Sequence, residues 1–516
     1  MSLQVKINSN AVRLPEDFEL AISLKNNLLD GDREDATYPM EVNLVSNRQV
    51  FGFVDRPHTD MTEKLPAGVS FGPYQLLNGL CVLTDVGDRN VEFYISTAKN
   101  SFWGKARERR LDESCEGQFT HSPGNQTYTL EQFYKSLKEQ MDYVVCPVRD
   151  SDIKNGGLDT EVNFYNYLEP GVEYFTWNYR VKPIYFTPFL RVTVVVKKVL
   201  KSMGYSIGVD EFSSDENLKD LLIICRRNPI DVNRGSNDAD KYRYGEHLPR
   251  ISVYDFLREI ENKFGYNFIV DETTKNVDIR RLNLSLEKEV KVLDGVAKHF
   301  LADEDRVTGI IYKDASSNDE FVKSLEYFLS HVFGKEEDAE TVECISTIVG
   351  VASDVKTFER PNIKPDYKYE YRFAAFQEEF ADGNECVEQI SKELRFSIYR
   401  GMIKSVPVDG SGRSYEFYYP VASPIAEFDE NGAFSLLWNG VDNGLDMYVK
   451  DRALLLIGAE QQHEFYVFPD VKNLDNLQDF FSRVLVIRNR RYMCYEQEIV
   501  LNKNSIVSHL VRCYPL

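Results

Sequence analysis

The sequence is poor in the residues that usually hold metal ions. Its 516 residues include only seven histidines, and its eight cysteines form no CxxC pair. No histidine stands at HxxxH or HExxH spacing, the arrangements that zinc sites use. We therefore expect no metal site.

The sequence also lacks the short motifs that bind nucleotides or position a nucleophile. It has no G-x-x-x-x-G-K-[ST] run, no G-x-G-x-x-G after a strand and no G-x-S-x-G. In the acidic segment from Asp30, residue Asp35 stands where a calcium loop needs glycine. The glycines around Ser411 are typical of a flexible turn. These absences predict no catalytic residue, no cofactor and no enzyme activity.

Long apolar runs are missing as well. No run reaches the length of about 18 residues that a membrane-spanning helix needs. The first residues lack the basic stretch and apolar core of a signal peptide. We therefore expect no membrane span and synthesis in the cytoplasm. We also expect buried free thiols, since no two cysteines lie close together in the sequence: Cys81, Cys115, Cys146, Cys225, Cys344, Cys386, Cys494 and Cys513.

The composition predicts a folded chain of several domains. Hydrophobic residues make up 43% of it and aromatic residues 13%, which is too much apolar material for a disordered protein. At about 100 to 200 residues per domain, the length corresponds to about three to five domains. The 61 Lys and Arg against 82 Asp and Glu give a net charge of −21. This charge disfavours long-range attraction to DNA or anionic lipid.

Residues 1–185 are predicted to form a β-rich module with one helix. The segments LNGLCVLTDV and NVEFYIST have the pattern of strands, and VGDRN between them is typical of a hairpin turn. The helix is predicted over residues 130–141, with Thr129 as N-cap and Gln132 at the capping-box position. We expect an antiparallel sheet or barrel on which this helix packs.

Residues 186–285 are predicted to form two small α/β units with the same plan of helix, glycine, tyrosine and strand. The first helix is predicted to begin at Pro188, after Thr187 as N-cap, and to end at Gly204. Its inward stripe contains several valines, and a buried strand in LKDLLIICRRN follows.

The second unit repeats this order. Its helix is predicted over Val253–Phe264, with Ser252 as N-cap and Gly265 as the end signal. A hairpin follows, with its turn near Thr274 to Asn276. The two units are therefore predicted to lie side by side.

Residues 286–405 are predicted to form a module of mixed strands and helices. RVTGIIYK and KYEYRFAAFQ predict strands, and NDEFVKSLEYFLSHVFG predicts an amphipathic helix that ends at Gly334. From Leu301 to Glu343 the chain has twelve acidic and four basic residues. This segment is interpreted as a solvated acidic face, with an anionic wall that faces a channel or a partner as the alternative.

Residues 406–516 are predicted to form a β-rich C-terminal module that ends in a hairpin, SRVLVIRNRRYMCYEQEIVL. Arg488, Arg490 and Arg491 stand at its turn. We interpret them as residues that favour solubility, with a functional contact as the alternative.

The three tryptophans are the remaining candidates for a binding surface. Trp103, Trp177 and Trp438 each lie in a mixed aromatic and apolar run. We expect them in the core with hydrogen-bonded indole nitrogens, rather than as stacking platforms for sugars.

Four stretches, taken together and in order, resemble a known family. They are TYPMEVNLVSNRQVFGF, then TPFLRVTVVVKKVLKSMGYSI, then ISVYDFLREIENKFGYNFIVDETTKNVDI, and last LRFSIYRGM with YYPVASP and SLLWNGVDNGL. Their order resembles that of the tail hub, or baseplate hub, proteins of bacteriophages and prophages, especially a divergent group encoded in Bacteroidetes. The resemblance samples the whole chain, and none of the stretches is a chemical motif.

The resemblance implies a β-rich α+β fold with two tail-tube-like β-barrel modules, at residues 1–185 and 286–405, small α/β inserts and a β-rich C-terminal region. It implies a homotrimer, a virion structural protein that joins the hexameric tail tube or a distal tail protein to a tip, fibre or spike protein. Phage DNA would pass through without specific binding. The protein would be made in the bacterial cytoplasm and then enter the virion tail. Any wall-degrading activity would come from another protein, because the long extension of some hubs is missing.

Two other functions stay open at this point. One is a carbohydrate-active hydrolase with an unrecognised carboxylate pair, since such a pair is defined by distance in space and not by sequence spacing. The other is a binding module for cell-surface glycans. Two facing carboxyl groups of raised pKa in a pocket would favour the first, and exposed coplanar aromatic rings in a groove would favour the second.

Overall fold

The structure is a computed structural model. It describes residues 1–26, 29, 35–56, 65–97, 99–117, 142–150, 163–165, 185–186, 188–225, 230–231, 243–271, 274–282, 290–293, 295–302, 307–317, 322–323, 325–351, 356–359, 368–371, 374–376, 392–405, 417–425, 434–438, 443–458, 461–468, 474, 477 and 479–516.

Short and medium helices are distributed along the described residues. They are α1 (Arg48–Phe51), α2 (Lys99–Glu108), α3 (Leu111–Ser114), α4 (Val192–Ser202), α5 (Glu211–Ser214), α6 (Val253–Phe264), α7 (Asp446–Gly458) and α8 (Asp479–Ser482). Three 3-10 helices cover Val45–Asn47, Tyr244–His247 and Glu326–Phe328.

Strands dominate the chain. Those of the first half are β1 (Leu3–Ile7), β2 (Asn10–Ala11), β3 (Glu19–Lys25), β4 (Ala36–Thr37), β5 (Met40–Asn43), β6 (Leu65–Phe71), β7 (Tyr74–Val86), β8 (Asn90–Ser96), β9 (Tyr143–Val144), β10 (Val148–Asp150), β11 (Asn163–Tyr165), β12 (Tyr185–Phe186), β13 (Phe189–Arg191), β14 (Ser206–Asp210), β15 (Leu221–Ile223) and β16 (Ile230–Asp231). Those of the second half are β17 (Tyr266–Asp271), β18 (Asn276–Arg281), β19 (Val290–Leu293), β20 (Gly295–Ala302), β21 (Gly309–Lys313), β22 (Ser330–Gly334), β23 (Glu340–Glu343), β24 (Ser346–Ile348), β25 (Gly350–Val351), β26 (Lys356–Glu359), β27 (Lys368–Tyr371), β28 (Ala374–Phe376), β29 (Leu394–Ser405), β30 (Phe417–Ser423), β31 (Gln461–Val467), β32 (Val484–Ile487), β33 (Arg490–Asn502) and β34 (Ile506–Pro515).

The largest sheet contains strands from both ends of the chain. Its order is β2-β1-β6-β7-β8-β4-β3-β33-β34-β31-β20, with β5 beside β8, and with β32 beside β33 and β19 beside β32. The two ends meet where β3 pairs antiparallel with β33, so that Ile22 lies opposite Ile499. The prediction of a β-rich α+β chain is thus confirmed. The division into modules at residues 185, 285 and 405 stays a prediction.

Smaller sheets complete the described part. Their orders are β16-β12-β11-β10-β28-β25, β24-β29-β15-β13-β9 with β30 beside β29, β14-β18-β17, β22-β21-β23 and β26-β27. None of the sheets in these residues is described as a closed barrel, so the barrel form of the predicted modules is not confirmed.

The predicted hairpins are present. β7 and β8 pair across the turn at residues 87–89, and β17 pairs with β18 across the turn before Asn276. The C-terminal hairpin turns between β32 and β33 at Arg488 and Asn489, which have φ angles of 53° and 64°. Turns of this kind match the right-handed twist of the strands they join.

The two helices predicted in residues 186–285 differ in how well the sequence places them. α6 has the predicted bounds, because the amide of Asp255 donates to the Ser252 hydroxyl at 2.9 Å and Gly265 adopts the left-handed conformation. α4 begins at Val192, not at Pro188, because residues 189–191 form strand β13 between β15 and β9. Sheet pairing at this point overrides the local proline signal.

The two units, predicted to lie side by side, share one sheet. β14 follows α4, β17 follows α6, and both pair with β18. The predicted buried strand at LKDLLIICRRN is confirmed as β15, all of whose residues are buried.

Two further helix predictions have other outcomes. The helix that was predicted to end at Gly334 is wrong there, because Ser330–Gly334 forms β22 and pairs antiparallel with β21. The helix predicted over 130–141 lies outside the described residues. Conversely, the segment Asp446–Gly458 is helical in the region predicted to be β-rich.

Two large hydrophobic cores underlie these sheets. One contains the residues of the terminal sheet, including Ile22 and Ile499, and the other surrounds α4 and α6. The predicted free thiols are confirmed for the seven described cysteines, all of which are buried, and Cys386 lies outside the described residues. Burial raises the pKa of Cys81 and of Cys115 to about 12.

Candidate functional site

A buried ion network at the C-terminal end of α6 is the strongest candidate for a functional site in the described residues. It joins Glu259 and Lys263 to Asp314, Ser346 and Trp438. Each of these residues is at most 4% exposed. Charged side chains are rarely buried to this extent unless they are paired, so the placement requires a physical explanation.

Local sequence explains part of the convergence. Glu259 precedes Lys263 by about one helical turn, so both side chains project from one face of α6. Asp314 directly follows β21, and Ser346 begins β24. Trp438 belongs to the segment 434–438, whose position is fixed where its amide donates to the carbonyl of Phe328 at 2.8 Å.

Direct hydrogen bonds connect the members. The ammonium group of Lys263 lies 2.7 Å from Oδ2 of Asp314 and donates to Oγ of Ser346 at 3.1 Å. The indole N–H of Trp438 donates to the other Asp314 oxygen at 2.9 Å. Glu259 accepts from the Ser346 hydroxyl and, at 2.7 Å, from the amide of Ile345.

The network has one cation for two carboxyl groups. Burial raises the pKa of Glu259 above its ordinary value, and Lys263 opposes this rise only in part. Burial also raises the pKa of Asp314, again against the effect of Lys263. Burial disfavours the charge of Lys263, but the nearby carboxylate of Asp314 raises its pKa above the ordinary value. Lys263 therefore stays charged, and the arrangement favours a proton on one carboxyl group.

Two carboxyl groups of raised pKa are also what general acid catalysis uses, so the hydrolase alternative must be compared with the geometry. A general acid has to come within hydrogen-bonding distance of its substrate. The side chains of Lys263 and Asp314 have no exposed surface. Trp438 covers Asp314, and the ring of Tyr312 stacks on Trp438 with centroids 5.4 Å apart. The contacts of the network therefore hold a helix, two strands and a loop together, and they present no group to a substrate.

A second polar cluster holds α7 near the same end of α6. The carboxylate of Asp215 accepts from the hydroxyls of Tyr266 at 2.7 Å and Tyr448 at 3.0 Å. The guanidinium of Arg281 lies 4.6 Å from the ring centroid of Tyr448. Burial, together with Asp215, raises the pKa of both tyrosines. The cluster thus joins the second helix-glycine-tyrosine-strand unit to a helix almost two hundred residues later in the chain.

The tryptophans are placed largely as predicted. Trp103 and Trp438 are buried, and Trp177 lies outside the described residues. The hydrogen bond predicted for the indole nitrogen is confirmed for Trp438. It is wrong for Trp103, whose indole nitrogen has no acceptor in the structure described, although its ring makes an edge contact with Phe102 at 4.9 Å.

The charged segments that the sequence singled out are only partly at the surface: Glu336, Glu340 and Glu343 are exposed, whereas Asp314 is buried in the ion network. Arg488 and Arg490 are exposed, and Arg491 is half-buried. Asp35 is buried and accepts from the amide of Lys25 at 2.6 Å, which is a structural contact. A functional role of the three arginines stays a prediction, and Asp30 and Ser411 lie outside the described residues.

Sequence reasoning missed four members of the ion network, and it predicted Trp438 only as a buried tryptophan with a bonded indole nitrogen. A Glu and a Lys four residues apart on a helix are usually an exposed pair, so this spacing does not indicate burial. Their contacts come instead from distant parts of the sequence: Asp314 and Ser346 bind the two side chains, and the ammonium group of Lys263 lies 5.9 Å from the ring centroid of Phe396. No local signal marks Asp314 or Ser346.

Within the described residues, no three histidine, cysteine or acidic side chains are grouped in a way that would hold a metal ion. Of the helices in this part of the chain, none has the length and apolar character needed to cross a membrane.

Comparison with known proteins gives structural neighbours only. No family model and no curated protein matches the chain. Over its full length the chain is similar to the 43 kDa tail protein of prophage MuSo2 from Shewanella oneidensis, with 6% identity, a TM-score of 0.37 and 98% of that chain covered. Over 99% of its length it is similar to the tail protein from Neisseria meningitidis MC58, with 8% identity, a TM-score of 0.36 and 96% of that chain covered.

Proposed function

We propose that this chain is a structural protein of a phage or prophage tail, a hub that forms a homotrimer between the tail tube and the tip or fibre assembly. It performs no catalysis in this proposal. The chain would be made in the bacterial cytoplasm and act in the virion tail. The proposal depends on the sequence resemblance, which covers the chain from its early strands to its last third.

One observation carries the proposal furthest: three of the four segments behind the resemblance pack against one another, whereas the first segment, with Met40 and Phe51, contributes to the other core. Val195 of α4, Phe256 of α6, Phe396 of β29 and Trp438 all belong to one buried core. The ion network lies within this core and joins two of these segments. A set of matching segments that builds one core is what a shared architecture requires, because packing couples residues that are distant in the sequence.

The C-terminal strands also support the proposal of a barrel module. β19 and β20 are separated by one residue, and they pair with β32 and β31 respectively. β32 and β31 are in turn connected through β33 and β34. We expect β19 and β20, which belong to the barrel-like module predicted over residues 286–405, to be joined by these C-terminal strands, since pairing at both ends of a sheet removes its open edges.

The mechanism in this proposal is geometric. Subunit association would come from burial of apolar surface at long-lived interfaces, of the obligate type that buries more than about 2,000 Å². The net charge of −21 suits a wall along which DNA moves without binding. The tube protein would contact one end of the trimer and the tip, fibre or spike protein the other.

The test is to locate the protein in particles. Particles released from the source bacterium after prophage induction are labelled with gold-conjugated antibody to the chain and imaged by electron microscopy. We expect label at one end of the tail and about three copies per particle by quantitative mass spectrometry. Antibody that has been adsorbed with purified protein is the control. Label along the whole tail or on the head, or protein found only outside particles, would contradict the proposal.

A further inference from the structure

The segment after β5 presents an exposed phenylalanine between two arginines. Phe53 is 50% exposed, and its ring centroid lies 4.9 Å from the guanidinium carbon of Arg48 and 3.9 Å from that of Arg56. Val45 is 60% exposed and stands three residues before Arg48, on the same side of the helical turns there. We call Val45, Arg48, Phe53 and Arg56 the arginine–phenylalanine patch.

The patch is preorganised. The two terminal nitrogens of the Arg48 guanidinium donate to the carboxylate oxygens of Asp55, at 3.0 and 2.9 Å. This pair holds the guanidinium in place beside the Phe53 ring. Arg56 lies on the ring and gives the patch its net positive charge, because Asp55 offsets the charge of Arg48. Arginine and aromatic residues are the types that carry most binding energy at protein interfaces, since they combine apolar area with charge.

The same chain also carries a surface of opposite charge. Glu336, Glu337, Asp338, Glu340 and Glu343 are exposed, in and just before β23. In the described residues β23 pairs only with β21, so it forms an edge of the sheet β22-β21-β23. Acidic side chains along an edge strand prevent it from pairing with a copy of itself, and they attract a basic surface.

We propose that the arginine–phenylalanine patch of one copy binds the acidic β23 edge of a second copy of this chain. Both surfaces are exposed in the described residues, and their charges are opposite. Two different surfaces that meet in this way form a head-to-tail contact, which closes into a ring when the rotation permits. The proposal rests on the proposed homotrimer and deepens it by naming the contact. DNA is the less suitable ligand, because a chain of net charge −21 repels it at long range.

The test is charge reversal on each surface. Arg56→Glu and Glu340→Arg, made separately in the full chain, are expected to raise the protein concentration needed for half-assembly by about tenfold or more. The double variant Arg56→Glu with Glu340→Arg is expected to restore most of the assembly, since the charges then match again. Lys6→Glu, an exposed charge reversal on β1, is the control. Light scattering at several concentrations measures the assembly, and circular dichroism checks folding.

Cross-linking provides a second measurement. Phe53→Cys and Glu340→Cys are placed in separate chains, which are mixed and treated with a short bismaleimide. Because the seven described native cysteines are buried, we expect cross-linked dimers only in the mixture, and the unsubstituted protein serves as the control. Assembly that is unaffected by charge reversal, no cross-link in the mixture, or a monomer up to the highest attainable concentration would overturn the inference. Gold label at the tail end, with about three copies per particle, would leave the proposed function standing in each of these cases.

Discussion

At the scale of single residues, the ion network shows why a buried charge must be considered together with its partners. Lys263 is fully buried, and its contacts to Asp314 and Ser346 replace the water it has lost. Such a group costs free energy to desolvate, and its removal costs more, because the remaining carboxylates are left unpaired.

We therefore expect Lys263→Met to lower the free energy of unfolding by about 3–5 kcal/mol. Urea unfolding followed by tryptophan fluorescence measures this change, since Trp438 belongs to the network. Lys219→Met is the matched control, because Lys219 pairs with Glu216 on an exposed surface. A Lys263 variant as stable as the control would show that the network contributes little to folding.

For Glu259 we expect a substitution whose free energy of unfolding rises relative to the wild type as pH rises, whereas the Lys263 substitution lowers it. Its folded-state pKa is raised, so above the unfolded-state value of about 4.5 the unfolded chain binds fewer protons than the folded one. The contribution of Glu259 to stability is therefore lost as pH rises through the raised pKa. The amide in Glu259→Gln has the shape of a protonated carboxyl group but does not titrate. The free energy of unfolding of this variant, relative to that of the wild type, should therefore increase as pH rises from about 4.5 to 8. Unfolding midpoints across this range measure it, and parallel pH profiles would contradict it.

At the scale of secondary-structure elements, the two helix-glycine-tyrosine-strand units provide an internal comparison. Gly204 and Gly265 have φ angles of 87° and 66° at the ends of α4 and α6. A Cβ at Gly204 would have no atom within 4 Å, whereas one at Gly265 would lie 2.6 Å from the carbonyl oxygen of Tyr448. The first glycine is required by its backbone angles alone, and the second also by the close approach of α7.

We accordingly expect Gly204→Ala to cost about 1–2 kcal/mol of stability, the usual cost of a left-handed L-residue. Gly265→Ala should cost about 1–3 kcal/mol more, because overpacking is added to the same backbone cost. Chemical unfolding of the two variants tests the difference, and each glycine variant serves as the control of the other. Equal losses would mean that α7 moves away without cost.

Sequence patterns predicted elements well where the signals are local. Ser252 and Gly265 bound α6 as expected, and the strand pair β17 and β18 follows with the predicted turn. The patterns failed where pairing partners are distant: the segment Ser330–Gly334 has a helical pattern but is held as a strand by β21. The site was missed for the same reason, since Asp314 and Trp438 meet only after the chain has folded.

At the scale of the whole molecule, the main feature is the sheet that joins both ends of the chain. β3 lies between β4 and β33, so its register connects the first strands to the last ones. Leu20 and Ile22 lie opposite Leu501 and Ile499, and all four side chains are buried in one core. The terminal strands should therefore open together, as one cooperative unit.

Ile22→Ala tests this coupling. It removes buried methyl groups from the centre of β3 and should cost about 2–5 kcal/mol. Hydrogen exchange followed by mass spectrometry should then show faster exchange in β33 and β34 as well as in β3, although more than 450 residues of sequence separate them. Val507→Ala, at a half-exposed position in β34, is the control and should change exchange only near its own site. If faster exchange in the Ile22 variant is confined to β3 and its neighbour β4, the two ends open independently, and the terminal sheet cannot act as a single rigid body in an assembly.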